Sequence, residues 1–480
     1  MNGGDKSRFA AWPGNAYSIA GALLLLICLL LGGGGAEAPG FNGIIEALGA
    51  LLLVACVAVH FRRAPMPSEA AAPVACTALL LLLFAFQLLP LPPALWVGLP
   101  GRELAAETAR LTGQVVSWKP LSLDPEATRL SATGLLLPVA LMLITIRSEG
   151  LGLRWLLRSL LAGAGAGAVL GAVQIARDTP AALTLYGNPA PGVGTGFFAN
   201  PNHQASLMLL ALIAVGLLVR LQEPKLKIRI GARNLKLKLG WLLAPLFIVG
   251  VLATQSRAGL LLFLPALAIA AIIASGNRRA WGVSLIVGLG LAGFLGMALL
   301  TRAGLWEMLP GGSEFLKDAR ATSLPDILYT LRQYWPWGSG FGTFAPVFMA
   351  NEDLDLAQAG YLNHAHNDYL ELIVEAGLPG AIVLFVIMMV IAWRMLAVAR
   401  DHASERGPAL AGFAMLTLLA AHSLVDYPVR SDAIAAATGV ALGLLFVALP
   451  RKNHGSSRKR GKRGFSSAGL TGGSTQGRAR

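Results

Sequence analysis

The stretch Ala258–Ala274, AGLLLFLPALAIAAIIA, contains no charged residue, and Ala22–Leu31, ALLLLICLLL, is of the same kind. A bilayer crossing by a helix needs about 20 mostly apolar residues. Across the 480 residues 55% are hydrophobic and only 13% charged, with a mean hydropathy of +0.62. A soluble domain carries about a quarter charged residues. The apolar material therefore spans a membrane rather than filling a soluble core. The expected fold is an all-α integral membrane protein.

Apolar runs at 17–35, 43–61, 73–90, 130–146, 155–176, 203–219, 240–254, 258–275, 281–301, 373–395, 408–425 and 433–449 give about twelve crossings. This divides the chain into a cytoplasmic N-terminus (1–16), a bundle of about nine spans (17–301), a large periplasmic loop (302–368), about three further spans (369–449) and a basic tail (450–480). Lys6 and Arg8 before an apolar run, with Ala36–Glu37–Ala38 after it, imitate a secretory signal. The length of that run and the four glycines behind it favour a retained span.

Lys and Arg collect in cytoplasmic loops. With the N-terminus inside, most of the 39 basic residues fall on cytoplasmic pieces: Arg62/Arg63, Arg147/Arg154/Arg158, the run Arg220–Lys238, Arg278/Arg279, Arg394/Arg400/Arg406 and the tail from Arg451. The net charge of +14 is thus a topological signal, and no nucleic acid is expected as a partner. The tail Arg451–Arg480, rich in Arg, Lys, Gly and Ser, reads as disordered and drawn to anionic lipid headgroups. KLKIRI and LKLKL inside the Arg220–Lys238 loop suit a segment lying on the membrane surface. Cys28, Cys56 and Cys76 all lie in apolar runs, so no disulfide framework is expected.

The outer segments are different in kind. Leu91–Arg129, Arg177–Asn202, Gln255–Arg257 and Arg302–Asp368 hold most of the acids, prolines and aromatics. The run Tyr361–Gly380, YLNHAHNDYLELIVEAGLPG, is the most polar entrance to any span. His364, Asn367, Glu371 and Glu375 fall at i, i+3, i+7 and i+11, so they could share a helical face lining a wet cavity. The alternative is a polar loop and an interfacial helix start.

Arg257 in TQSRAG, Arg320 and Arg430 stand apart from the cytoplasmic bias. A guanidinium fork suits phosphate oxygens and keeps its charge at any working pH; a snorkelling interfacial arginine is the plainer reading. Neither Gly192-x-Gly194 nor Gly338-x-Gly340 follows a strand that opens a βαβ unit, so a dinucleotide fingerprint is rejected. Asp353-x-Asp355 lacks an accompanying α/β domain and reads as a solvated acidic loop. His364-x-His366 alone does not close a metal site, and neither metal nor cofactor is expected.

QLLPLPPALW (Gln87–Trp96), WKPLSLDPEAT (Trp118–Thr128), GTGFFANPNHQA (Gly194–Ala205), QSRAGLL (Gln255–Leu261), PWGSGFGTF (Pro336–Phe344), HAHNDYLELIVEAGLPG (His364–Gly380) and HSLVDYPVR (His422–Arg430) occur in this order. Together they resemble the O-antigen ligase and polysaccharide polymerase family of bacterial inner membranes, over roughly residues 20–448. The resemblance implies a multi-span, GT-C-like, metal-independent glycosyltransferase with its active face in the periplasm and both termini in the cytoplasm. It implies a donor glycan on undecaprenyl pyrophosphate. The acceptor is lipid A core for a ligase or another lipid-linked glycan for a polymerase.

The resemblance places Arg257 in the family's SR motif, as a clamp for the leaving pyrophosphate, where negative charge develops. Arg320 is the second cation. An imidazole is a reasonable base for the acceptor hydroxyl near neutral pH; His366 is preferred, with His364 as the substitute. Asn367 would orient the base or the donor, Glu371 or Glu375 would hold an imidazole or the sugar, and Asn202, Asp426 and Arg430 would complete the site. The alternative of another class, a transporter or flippase for lipid-linked glycans, predicts polar sites near the midplane and paired repeats. No repeat is visible, and the polar groups pool at the outer mouth.

Overall fold

The computed structural model describes residues 14–35, 38–63, 67–178, 181–187, 191–221, 225–230, 233–276, 323–353, 362–401 and 406–447. Its helices are α1 Gly14–Leu31, α2 Pro39–Arg63, α3 Ala71–Leu88, α4 Pro93–Val97, α5 Glu103–Leu111, α6 Pro125–Gly134, α7 Leu136–Arg147 and α8 Gly150–Ala176. They continue as α9 Pro201–Leu221, α10 Ala244–Ala253, α11 Arg257–Ser275, α12 Leu324–Tyr334, α13 Phe344–Met349, α14 Asp368–Arg400, α15 Gly407–His422 and α16 Asp432–Phe446. Among the described residues seven helical stretches, one of them α6 joined to α7, are long and apolar enough to cross a membrane, and four shorter apolar helices accompany them. These coincide with every expected span except the ninth, 281–301, which lies outside the described residues. So do the N-terminal 13 residues, the first part of the large loop with Arg320, Asp355, and the basic tail.

The mostly helical expectation holds with two small additions. Pro90–Leu91 (β1) pairs antiparallel with Lys119–Pro120 (β2). Lys225–Ile230 (β3) pairs antiparallel with Arg233–Lys238 (β4). Basic and apolar residues alternate in β3 and β4 with the period of two that a strand demands. The described part of the large loop is not featureless either, since it folds into α12 and α13.

Helix starts follow local chemistry. Asp124 caps α6 through the amides of Glu126 and Ala127, and Ser256 caps α11 through Gly259 N at 3.0 Å. The most enclosed span is α9, with 89% of its apolar window buried, against 11% for α2 and α14. It packs among α8, α10, α11 and α15. Ala205 meets Gly259, and Gly216 meets Ala270, so α9 and α11 run parallel.

The two ends of the bundle differ in charge. At one end Arg154 donates to Leu221 O, Arg220 to Ile273 O, and Arg394 to Leu445 O and Val447 O. Arginines there satisfy carbonyls that helix ends leave open. The opposite end gathers the start of α14 on the end of α15 through Asp368 N to Ser423 O. It also gathers the start of α16 on the end of α1 through Ala433 N to Gly32 O, and the end of α10 near the start of α9 through Gly194 N to Ala253 O. The end of α3 joins them, with Gln87 bonded to Glu375 O and Phe341 N. This second end carries the site.

Candidate active site

The helix α14 begins later than the i, i+3, i+7, i+11 spacing implies. Asn367 is its N-cap, its Oδ1 accepting from Tyr369 N at 3.0 Å and Leu370 N at 3.1 Å, while its Nδ2 donates to Leu424 O. The shared helical face therefore reduces to Glu371 and Glu375, because His364 and Asn367 precede the helix. His364 rejoins Glu371 through the loop instead: Nδ1 lies 2.7 Å from Glu371 Oε1, and Ala365 N donates to Glu371 Oε2 at 2.9 Å.

Three carboxylates at the start of α14 meet one guanidinium from the loop between α15 and α16. Arg430 lies 3.7 Å from Asp368 Oδ1, 3.2 Å from Glu371 Oε1 and 3.0 Å from Glu375 Oε2. Burial opposes the charge on Arg430, but Glu371, Glu375 and Asp368 outweigh it and hold its pKa above the ordinary arginine value. Buried acids without such a partner would be costly. Glu375 also organises its surroundings: Oε1 accepts from Gly342 N at 2.8 Å, and its carbonyl accepts from Gly340 N and Gln87 Nε2. The 334–343 turn crosses α14 where its helix breaks, at Gly377 (φ +56), and Gly338 (φ +82) lies against the Glu375 carbonyl. A Cβ at either glycine would run into backbone.

Asp426 is fully buried beside this network. It accepts from Asn200 Nδ2 at 3.3 Å, from Asn202 Nδ2, and from Tyr427 N at 2.8 Å. Its Oδ1 also faces two imidazoles, with His366 Nδ1 at 3.6 Å and His203 Nε2 at 3.8 Å. His366 has φ +48, a strained setting for a residue with a side chain. The ring of Tyr427 packs against His364 at 4.2 Å, His366 at 4.9 Å and His203 at 5.0 Å between centroids. Burial, and then the charge of Asp426, push the Tyr427 phenol up to about 12. A cavity of about 30 Å³ lies here, lined by Gly33, Asn200, His203, His364, Tyr427 and Arg430 among others.

Arg257 is the exposed first residue of α11. Gly259, about half a turn on, touches Ala205, which follows Asn202 and His203 on α9, so Arg257 opens at the same end of the bundle as His366. The structure thus brings together Arg257, His364, His366, Glu371, Glu375, Asn202, Asp426 and Arg430 at one end, with Asn367 as a cap beneath them. Arg320 lies outside the described residues. Sequence reasoning passed over Asn200, His203, Asp368 and Tyr427. All four stand inside the quoted motifs, but only long-range packing shows that Asn200 and His203 meet Asp426, that Asp368 meets Arg430, and that Tyr427 meets the three imidazoles.

A helical bundle with apolar walls, one basic end and one end rich in imidazoles and carboxylates defines a polytopic membrane protein with an interfacial site. Residues 242–385 match the family model described as O-antigen ligase, a span holding Arg257, His364, His366 and the Glu371–Glu375 start of α14. That stretch is similar to the domain of ligases and polymerases of surface polysaccharide biosynthesis. No curated protein matches the chain.

Proposed function

We propose that the protein is a GT-C-like glycosyltransferase of the bacterial inner membrane that moves a glycan from undecaprenyl pyrophosphate to an acceptor hydroxyl on the periplasmic face. The observation that carries this reading is the His366–Asp426 pair at the same bundle end as the exposed Arg257. A proton held on His366 Nδ1 toward Asp426 leaves Nε2 with a lone pair for the acceptor hydroxyl. As the acceptor oxygen bonds the anomeric carbon, the bond from that carbon to the pyrophosphate oxygen breaks. The hydroxyl proton passes to His366, and Asp426 stabilises the imidazolium. Arg257 and the positive end of α11 stabilise the charge gathering on the departing pyrophosphate. Arg320 is the second cation in this scheme.

The remaining polar groups act through these. Asn202 and Asn200 hold Asp426, and Glu371 holds His364 against Tyr427. Arg430 meets three carboxylates, which suits a neutralising role better than capture of substrate. Both termini lie in the cytoplasm in this reading, with the basic tail on anionic lipid. A transporter reading is weaker, because the polar cluster sits at one mouth of the bundle and not at its midplane.

The ligase reading is tested by supplying purified protein in proteoliposomes with lipid-linked polymer and lipid A core. Expected is polymer on lipid A core with release of the polyprenyl pyrophosphate. Chain extension of lipid-linked repeats without transfer to the core would assign the polymerase activity instead. No glycan transfer of either kind would overturn the enzyme reading.

A further inference from the structure

Between α3 and α6 the chain makes an excursion, 89–124, that the site does not use. It leaves large apolar side chains in the open: Val115 is 92% exposed, Leu104 75%, Leu111 72% and Trp118 63%, with Leu89 and Leu95 also exposed. Leu104 and Leu111 are two turns apart on one face of α5. Glu107 lies between the two leucines on that face, paired to Arg110 at 2.6 Å, while Glu103 and Arg110 fall on an adjacent face and Ala109 is buried toward the protein. Apolar side chains arrayed this way call for a covering surface.

The position of the excursion names that surface. It leaves from Leu88, the last residue of α3, and returns at Pro125, the first of the α6–α7 crossing. The β1–β2 pairing sets Pro90 opposite Pro120 and Leu91 opposite Lys119, which brings Trp118 back to the membrane end of α3. An exposed Trp beside a Lys at the mouth of a crossing helix is the composition of a bilayer interface. The inner side is fastened to the protein. Trp96 Nε1 donates to Pro120 O at 2.9 Å, and buried Arg102 donates to Leu121 O between the rings of Trp96 and Tyr334. Leu123 N then donates to Ser339 O at 2.8 Å, inside the turn that Glu375 holds.

We propose that 89–118 is an interfacial paddle whose Leu104, Leu111, Val115 and Trp118 side chains insert at the headgroup–acyl boundary of the outer leaflet. An amphipathic helix lying in that plane buries its apolar face by about 5–10 Å. The paddle is braced against the 334–343 turn, so the bilayer surface sets the height of that turn. The proposal is independent of which glycan is transferred.

The test uses the full-length chain with Cys28, Cys56 and Cys76 changed to alanine, in nanodiscs of phosphatidylethanolamine and phosphatidylglycerol. Single variants Leu104→Cys, Leu111→Cys and Val115→Cys, with Arg110→Cys on the adjacent polar face as the water-facing control, carry an environment-sensitive fluorophore. Monodisperse elution establishes that each is folded. Expected are blue-shifted emission at 104, 111 and 115, several-fold quenching by lipids with a nitroxide high on the acyl chain, and weak quenching by iodide; the label at 110 behaves in the opposite way. Iodide quenching at all four positions would overturn the proposal, and so would labels at 104, 111 and 115 shielded from both quenchers, which means a protein partner.

Discussion

His366 Nδ1 faces Asp426 Oδ1 at 3.6 Å, across loops that lie at opposite ends of the α14–α15 hairpin in the sequence. Neither residue is near the other along the chain. The folding of α15 back on α14, pinned by Asp368 N to Ser423 O at 3.0 Å, brings them together. If this pair prepares the acceptor, His366→Gln should lower the transfer rate by about 10²–10⁴-fold, the usual contribution of a general base. Asp426→Asn should lower it less, with acceptor KM little changed. Single-turnover rates check both, and a fully active His366→Gln enzyme would remove the base from the scheme.

Arg257 stands free of any side-chain partner among the described residues. Arg257→Ala is therefore expected to abolish transfer while expression, membrane insertion and thermal stability stay at wild-type levels. Arg257→Lys should keep part of the activity, since the charge remains but the fork does not. Wild-type product from Arg257→Ala would take it out of the site.

Arg430 should behave in the opposite sense. Arg430→Met leaves Asp368, Glu371 and Glu375 facing one another without a counter-charge. Removing one partner of a buried ionic cluster is expected to destabilise by roughly 3–5 kcal/mol. A clear fall in the thermal unfolding midpoint in detergent, absent for Arg257→Ala, is the expected result. An unchanged midpoint with lost activity would move Arg430 into direct contact with substrate.

Transfer by the purified protein should continue in excess chelator. Loss of activity that Mg²⁺ or Mn²⁺ restores would require a metal in the reaction.

Glu352 lies just past α13, on the site's end of the bundle. Glu352→Cys, in a chain without its native cysteines, should react with a membrane-impermeant maleimide in cells whose inner membrane is intact. Reaction only after the inner membrane is permeabilised would invert the orientation.

Hydropathy alone fixed most of the crossings, because a helix in lipid must be apolar along its whole length and satisfies its own backbone. The basic end was equally legible, since Arg and Lys in short loops mark one side. The alternating run at 225–238 already carried its strand period, yet its basic charge pointed to a surface segment. Spacing failed at His364 and Asn367, where an asparagine cap holds the start of α14 back to Asp368 and the loop, not the helix, returns His364 to Glu371. Only the tertiary structure could show that Asp426 receives Asn200 and Asn202 while facing His203 and His366, or that Arg430 closes on three acids. Periodicity reports which residues share one helix face; contacts between distant loops depend on how whole helices pack, and no local pattern encodes that.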